Sequence, residues 1–237
     1  MSAPIVQSLE PITLVGGGYL GSGDLELALK RAPRLVAADG GAAAALKAGH
    51  DLEAVIGDFD SLSPDTKARI PKERLFPIRE QNSTDFDKAL RSISAPLVLA
   101  VGFLGERVDH QFAALNTLTR QPDRPCVLIG EREVIFHVPA LLEVALSPGD
   151  IVSLFPMAPV TGRSTGLEWP IDRLDMAPGK SISTSNRALG PVHLKMKGDG
   201  LLMFAPRAAL DAVMRAIAPV CAPGAQSRSG LPISGAD

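Results

Sequence analysis

Apolar runs of strand length alternate with helical patterns along the first half of the chain. The apolar runs occupy residues 12–18, 34–41, 53–61, 73–78, 96–103 and 126–130, and the helical patterns occupy residues 24–32, 42–49, 83–93 and 107–120. In 83–93 the apolar residues recur at 3.6-residue spacing, which indicates an amphipathic helix. The run PLVLAVGF at 96–103 is continuously apolar, as is typical of a strand buried on both faces. This alternation predicts an α/β fold in which a parallel, Rossmann-like sheet carries helices on both faces.

The pattern changes near Glu133. Beyond it, short β-branched runs are broken by Pro and Gly, and no long helical pattern occurs before 207–218. Short strands separated by turn residues predict a compact antiparallel β-sandwich, closed by one helix at 207–218. We therefore predict an N-terminal domain at 1–138 and a C-terminal domain at 139–218. The tail at 219–237 is rich in Gly, Pro, Ser and Ala and is expected to be flexible.

The composition argues against several classes of protein. The chain has 237 residues, of which 46% are hydrophobic and 21% charged, as is ordinary for a globular protein with a sizeable core. A formal net charge of -2 favours neither a nucleic-acid partner nor an anionic membrane surface. The two cysteines, Cys126 and Cys221, lie far apart, so we expect no disulfide framework and no zinc site. With no signal-peptide pattern and no apolar run near the roughly 20 residues of a membrane span, we expect a cytoplasmic protein.

Glycines and acidic residues collect where the predicted parallel strands end. Following the strands in order, these residues are Gly16, Gly17 and Gly18; Asp39, Gly40 and Gly41; Gly57, Asp58, Asp60 and Ser61; Gln81, Asn82, Thr84 and Asp85; and Gly102, Gly105, Arg107, Asp109 and His110. In parallel α/β sheets, ligands bind beyond the carboxyl ends of the strands. The convergence of five such ends predicts a ligand site at one edge of the sheet.

Taken singly, most of these side chains also have a purely structural interpretation. Asp39 could cap the helix at 42–49, and Asp85 could be stabilised in the first turn of its helix by the helix dipole. Arg107 and Asp109 could form a surface pair. For His110 we favour a half-buried structural role over a catalytic one.

Asp58 and Asp60, in the stretch GDFDS, are the hardest to explain structurally. Residues two apart on a strand point to the same side, so the two carboxylates would repel each other unless a helix terminus, a basic side chain or a metal ion offset the charge. Mg²⁺ takes oxygen ligands, usually one or two carboxylates together with substrate phosphates. Glycine turns and a guanidinium such as that of Arg107 also bind phosphate oxygens. We therefore predict a magnesium site and a phosphorylated substrate.

Several motifs in series resemble one known family. The stretches ADGG (38–41), GDFDS (57–61), QNSTDFDKAL (81–90) and GERVDH (105–110) followed by Asn116 resemble, in order and spacing, the catalytic domain of the thiamin pyrophosphokinases. The stretches STSN (183–186) and DGLLMF (199–204) resemble the thiamin-binding β-domain of that family. The resemblance covers roughly residues 12 to 206, and motifs in series are far more specific than any one of them.

The resemblance implies a reaction, cofactors and an assembly. Members of the family transfer a pyrophosphoryl group from the co-substrate ATP to the hydroxyethyl group of thiamin, giving thiamin diphosphate and AMP. They use Mg²⁺. They are homodimers in which thiamin lies between the catalytic domain of one subunit and the β-domain of the other.

The resemblance also implies roles for individual residues. The expected catalytic residues are Asp58, Asp60, Asp85 and Arg107, of which Asp58, Asp60 and Asp85 are the expected metal ligands. The expected nucleotide-binding residues are Gly17, Asp39, Gly40, Gln81, Thr84, Asp109 and Asn116. The expected thiamin contacts are Ser183, Ser185, Asn186 and Phe204. Phe204 stands where many members carry a tryptophan and offers a smaller stacking area. The one tryptophan of this chain, Trp169, is interpreted as a core residue.

Alternative functions stay open on the sequence alone. The same metal site would serve a diphosphokinase that acts on another alcohol, such as a hydroxymethyl pterin. A non-catalytic thiamin or nucleotide sensor could keep the pocket without turnover, although it would not need four carboxylates. A metal-dependent phosphatase would have no use for the second domain. Asp85 is a candidate acceptor for the proton of the thiamin hydroxyl, although a tight metal ligand is a poor free base.

Overall fold

The computed structural model describes residues 3–105 and 107–218. The predicted flexible tail at 219–237 lies outside the described residues. The strands are β1 (Val6–Gln7), β2 (Ile12–Val15), β3 (Arg34–Ala38), β4 (Ala54–Gly57), β5 (Leu75–Pro77), β6 (Ile93–Ser94), β7 (Val98–Val101), β8 (Cys126–Ile129), β9 (Glu133–His137), β10 (Leu141–Val144), β11 (Ile151–Pro156), β12 (Thr161–Leu167), β13 (Ser183–Lys197) and β14 (Leu201–Pro206). The helices are α1 (Asp24–Leu29), α2 (Gly41–Lys47), α3 (Pro64–Ala68), α4 (Asp85–Ser92), α5 (Val108–Arg120) and α6 (Leu210–Ile217), with 3-10 turns at Lys72–Arg74 and Arg207–Ala209.

One mixed sheet runs through the described part of the chain. Its strand order is β10-β13-β11-β14-β9-β8-β7-β2-β3-β4-β5, with β12 paired to β13, and β1 pairs separately with β6. The six strands from β8 to β5 in this order pair in parallel. From β8 onward through β9, β14, β11, β13 and β10 every pairing is antiparallel. The predicted change from parallel to antiparallel strands is therefore present, within one continuous hydrogen-bonded sheet.

The change of direction occurs at a tight turn between β8 and β9. The N–H of Gly130 donates to the carbonyl of Glu133 at 2.8 Å, which folds β9 back onto β8. β9 then pairs with β14, which comes from beyond the predicted division at 138/139. Because hydrogen bonds cross that division, the two halves of the chain share a sheet edge to edge.

Helices cover both faces of the parallel strands. Buried residues of α1 and α2 pack on one face with Leu35, Ala37 and Val55. Buried residues of α4 and α5 pack on the other face with Val36 and Ile56. Alternate strand residues serve opposite faces, so the strands are apolar throughout, as the continuous run at 96–103 predicts.

The 15-residue strand β13 belongs to two sets of antiparallel pairs. Its first residues pair with β11, whereas Val192 to Lys197 pair with β10 and β12. Its side chains alternate strictly between buried and exposed from Asn186 to Lys197, matching the apolar/polar alternation of VHLKMK at 192–197.

None of the helices in the described ranges is long and apolar enough to span a bilayer.

Candidate active site

A cleft of about 570 Å³ opens at the carboxyl ends of the parallel strands. It is lined by residues that follow β2, β3, β4, β5 and β7, as the sequence predicts for a ligand site. Its lining includes Gly17, Gly18, Asp39, Gly40, Asp58, Asp60, Ser61, Gln81, Ser83, Thr84, Asp85, Lys88, Gly102, Phe103, Arg107 and His110. Five separate loops therefore contribute polar groups to one cavity.

Glycine at the end of β2 permits the loops to approach one another closely. A Cβ atom on Gly16 would lie 2.6 Å from the carbonyl oxygen of Gly102, which follows β7. Gly102 itself has a φ of 76°, a conformation that few other residues adopt. The glycine turns therefore bring the backbone of two neighbouring strand ends together at the floor of the cleft.

Asp39 lies at the end of β3 in the left-handed region, with a φ of 41° and 3% exposure. Its Oδ2 accepts a hydrogen bond from the N–H of Ser61 at 3.1 Å. Its Oδ1 is buried and is the one buried side-chain polar atom without a partner among the described residues. Burial raises the pKa of this carboxyl, and the Ser61 N–H opposes that shift. The interpretation of Asp39 as a helix cap is wrong, since the N-cap of α2 is Gly40 and no side chain caps that helix.

Asp58 and Asp60 follow β4 rather than lying on it. The strand ends at Gly57, and Phe59 turns the chain with a φ of 67°. The N–H of Asp60 then donates to Asp58 Oδ1 at 3.3 Å, and Ser61 Oγ donates to Asp60 Oδ1 at 2.9 Å. Asp39, Asp58 and Asp60 each present a carboxylate oxygen within 4.8 Å of the others.

Lys88 is the residue of this site that the sequence analysis missed. Its side chain is 2% exposed, and its Nζ donates to Asp58 Oδ2 at 2.7 Å and to Asp85 Oδ1 at 3.0 Å. Burial lowers the pKa of Lys88, but the hydrogen bonds to the two aspartates outweigh it and the pKa is raised. The hydrogen bond from Lys88 in turn lowers the pKa of Asp58. The signal was the spacing of Asp85 and Lys88, because residues three apart on a helix face the same side.

Asp85 opens α4 in the position that the sequence predicts. Thr84 caps the helix by accepting a hydrogen bond from the N–H of Asp87 at 3.3 Å, and Asp85 and Asp87 lie in the first turn. Asp85 lines the cleft, but its Oδ1 is bonded to Lys88 and it is outside the group formed by Asp39, Asp58 and Asp60. Gln81 contacts one acid of this group, since its Nε2 donates to Asp58 Oδ2 at 3.5 Å.

The rim of the cleft carries an exposed ion pair. Arg107 donates to Asp109 at 2.6 Å and 3.2 Å, and both side chains are 65% exposed. The hydrogen bond raises the pKa of Arg107 and lowers that of Asp109. His110 also lines the cleft and is exposed rather than half-buried, because α5 begins at the rim. Asn116 lies further along α5 than His110 and lines an adjoining hollow of about 330 Å³.

The four predicted thiamin contacts lie elsewhere in the same chain, and none of them lines the cleft. Ser185 is exposed with a φ of 55°, and its N–H donates to Ser153 Oγ at 3.0 Å. Asn186 is only 1% exposed, and Ser183 Oγ accepts one of its hydrogen bonds at 3.0 Å. Phe204 lies on β14 and packs half-buried against the apolar layer that covers α4 and α5.

Trp169 is 55% exposed, so its interpretation as a core residue is wrong. It lies between β12 and β13, in a segment that the apolar pattern does not distinguish from a strand. Its backbone is fixed to Asn186, and the neighbouring Glu168 pairs with Arg187 at 3.2 Å. The ring is thus presented to solvent on an anchored segment.

Comparison with known proteins points to one family. The family model of the thiamin pyrophosphokinase catalytic domain matches residues 25–128, and that of the thiamin pyrophosphokinase vitamin B1 binding domain matches residues 137–199. Thiamine pyrophosphokinase 1 of Arabidopsis thaliana is 29% identical over 168 residues, which are 61% of this chain and 61% of the relative. Thiamin pyrophosphokinase 1 of Caenorhabditis elegans is 27% identical over 150 residues, 56% of this chain and 60% of the relative. The chain thus spans about three fifths of the length of these curated relatives.

Solved structures agree with the sequence comparison. A thiamin pyrophosphokinase from Geobacillus thermodenitrificans superposes with a TM-score of 0.67 at 25% identity, covering 83% of this chain and 96% of that one. Thiamin pyrophosphokinase from Candida albicans has a TM-score of 0.70 at 16% identity, covering 87% and 95%, which shows a shared fold. The two family models together match more than two thirds of the 237 residues of the chain. The chain therefore belongs to the thiamin pyrophosphokinase family.

Proposed function

We propose that this protein transfers the pyrophosphoryl group of ATP to the hydroxyl of thiamin, giving thiamin diphosphate and AMP. The observation that carries the proposal is the arrangement of Asp39, Asp58 and Asp60 in the cleft, with a buried oxygen of Asp39 left unpaired. A buried carboxylate oxygen without a partner is costly unless a cation or a donor completes it. Membership of the family supports the choice of substrates.

The residues of the cleft fit a magnesium ion. Asp58 and Asp60 are proposed ligands, and the unpaired Oδ1 adds Asp39 to the set predicted from the sequence. Three carboxylate oxygens within 4.8 Å of one another suit a hard cation with oxygen ligands. Asp85 remains a proposed ligand, although its Oδ1 accepts a hydrogen bond from Lys88. When bound, Mg²⁺ supplies charge neutralisation at phosphate oxygens.

The remaining groups of the cleft suit the triphosphate of ATP. Gly17 and Gly40 allow a phosphate to approach the backbone, and Arg107 places a guanidinium at the rim. In-line transfer at the β-phosphorus depends on positioning and charge neutralisation, and Arg107 is proposed to stabilise the charge that develops as AMP leaves. Thr84, Gln81, Asp109 and Asn116 complete the proposed nucleotide side.

Thiamin is proposed to bind between two copies of the chain. Ser183, Ser185, Asn186 and Phe204 do not line the cleft of their own chain, and we propose that a second subunit brings the two sets of residues to one substrate. This supports the homodimer implied by the family resemblance.

The proposal also includes the division into domains at 1–138 and 139–218. It further includes the β-sandwich character of the second domain and a cytoplasmic location.

The decisive experiment measures both products from purified protein with ATP and Mg²⁺. We expect AMP and thiamin diphosphate to form only when thiamin is present. AMP formed with a hydroxymethyl pterin instead would indicate a diphosphokinase for another alcohol. Tight binding of thiamin by calorimetry without either product would indicate a sensor.

A further inference from the structure

Lys88 is buried in a way that few lysines are. It lies on α4 beside Phe86, Ala89 and Leu90, which are all buried in the apolar layer, and as a whole residue it is 1% exposed. Lysine is almost never fully buried unless its charge is paired. Its Nζ meets this requirement with two carboxylates, those of Asp58 and Asp85.

The two carboxylates come from separate parts of the chain. Asp58 follows β4, and Asp85 opens α4, so the ammonium group ties the end of a strand to the start of a helix. In the described ranges, four aspartates line the cleft and Lys88 is the one basic side chain bonded to any of them. Without that ammonium group, Asp58 and Asp85 would face each other as like charges at a partly buried site.

The position of Lys88 leaves room for a second cation. It uses Oδ2 of Asp58, whereas Oδ1 of Asp58 turns toward Asp60. Oδ1 of Asp39 has no hydrogen-bond partner among the described residues. The ammonium group therefore binds one oxygen of Asp58, and the other oxygen of Asp58 and Oδ1 of Asp39 are not bonded to it.

We propose that Lys88 is a built-in counter-ion that holds Asp58 and Asp85 in position before the divalent cation arrives. It is a positioning residue of the metal site, and the inference rests on the magnesium site of the proposed function. Lys88 stabilises the folded protein when no divalent ion is bound, because its ammonium group then partly neutralises the two aspartates. Without Lys88, the site depends on the divalent cation for its stability.

The test is thermal unfolding of the whole chain with and without magnesium chloride, in the absence of nucleotide and thiamin. Lys88→Met keeps the length and apolar stem of the side chain and removes the charge. We expect the metal-free variant to unfold at a lower temperature than the wild type. We also expect its rise in Tm on adding magnesium to be about twice that of the wild type, because the metal then relieves a repulsion that Lys88 normally relieves.

Two further variants separate the charge from packing. Leu90→Ala, in the same helix and fully buried, should lower the Tm and leave the magnesium-induced rise at its wild-type value. Lys88→Arg, which keeps the charge, should return the magnesium-induced rise to nearly that of the wild type. A Lys88→Met protein whose magnesium-induced rise is equal to or smaller than that of the wild type would overturn the proposal.

A variant that does not fold is also informative. If Lys88→Met is unfolded with and without magnesium, the double variant Lys88→Met/Asp85→Asn decides, because it removes one carboxylate together with the ammonium group. Recovery of folding by the double variant supports the counter-ion role, and continued unfolding contradicts it. The readout involves only the metal salt, so a protein that makes no thiamin diphosphate would refute the proposed function and leave this result standing.

Discussion

The side chain of Asn186 holds the backbone of Trp169 at both of its hydrogen-bonding groups. Asn186 Oδ1 accepts from the N–H of Trp169 at 3.2 Å, and Asn186 Nδ2 donates to the carbonyl of Trp169 at 2.7 Å. The same amide also accepts from the N–H of Arg187 at 2.7 Å and donates to Ser183 Oγ at 3.0 Å. All four hydrogen-bonding positions of the amide are therefore used within the chain.

We predict that Asn186→Ala destabilises the protein. The substitution leaves the backbone groups of Trp169 without their partner beside a buried site, at a cost of about 1–3 kcal/mol in the free energy of unfolding. Urea unfolding of the two proteins measures this difference. Ser185→Ala, at the exposed neighbouring position, is the control and should unfold like the wild type. An Asn186→Ala protein of wild-type stability would show that the network is not maintained in solution.

Asp60 offers the cleanest test of the proposed metal site. It is exposed, and its side chain is not bonded to Lys88, so Asp60→Asn removes a proposed ligand without breaking the buried ion pairs. We expect turnover to fall by about two orders of magnitude or more, while the free energy of unfolding changes by less than about 0.5 kcal/mol. AMP formation over a range of magnesium concentrations measures the first quantity.

The matched control for that variant is Asp65→Asn. Asp65 is an exposed aspartate in the first turn of α3, outside the cleft, and its replacement removes the same charge. We expect it to keep wild-type turnover. Equal activity of the Asp60 and Asp65 variants would remove Asp60 from the metal site.

The stability of the protein should fall in mild acid because of His137. This residue ends β9, and burial lowers its pKa below the ordinary value of about 6.5, with Asp199 opposing the shift. Its Nε2 accepts a hydrogen bond from the N–H of Gly200 at 3.3 Å, which requires the neutral ring. The unfolded chain therefore takes up a proton more readily than the folded chain, so stability rises with pH through the window below about 6.5 and is lost as pH falls through it.

The measurement is the free energy of unfolding in urea at pH 7.5 and pH 5.5. We expect the drop between the two to be smaller in His137→Gln than in the wild type, because glutamine has no proton to gain. His193→Gln, which removes an exposed imidazole, controls for the loss of a histidine as such. An identical drop in the wild type and the His137 variant would contradict the prediction.

The N-terminal half of the fold was predictable because its strands and helices carry simple periodic patterns. The strand ends could be located from Gly57 and Asp39, and the structure gathers five of those ends around one cleft. The expectation that Asp58 and Asp60 share one side of a strand was wrong, since Phe59 adopts a positive φ after the strand has ended. A backbone reversal of this kind leaves no trace in the apolar pattern.

Side chains that act across the fold were harder to predict. Lys88 is separated from Asp58 by 30 residues, and the sequence offers only the helical spacing from Asp85 as a clue. Trp169 and Asn186 are likewise far apart in sequence, and the N–H of Trp169 donates to Asn186 Oδ1. An apolar residue such as Trp is expected in the core when its tertiary contacts are unknown. Long-range pairs of this kind depend on the tertiary packing, which the local pattern of residues does not reveal.

The proposed sharing of the active site between subunits predicts complementation. Asp60→Asn damages the cleft, and Ser185→Arg places a long cation at an exposed position where the cationic thiamin is proposed to bind. Each homodimer alone should be nearly inactive. After the two proteins are unfolded and refolded together, half of the dimers should be mixed, and each mixed dimer should contain one site without either substitution. We expect recovery of about one quarter of wild-type activity, as the symmetry of a two-fold dimer requires.

Refolding each variant alone under the same conditions is the control and should give no recovery. Size-exclusion chromatography of the mixture shows whether dimers form, and the activity is measured as thiamin diphosphate produced. If dimers form and the mixture remains as inactive as its parents, each chain must build its site from its own residues.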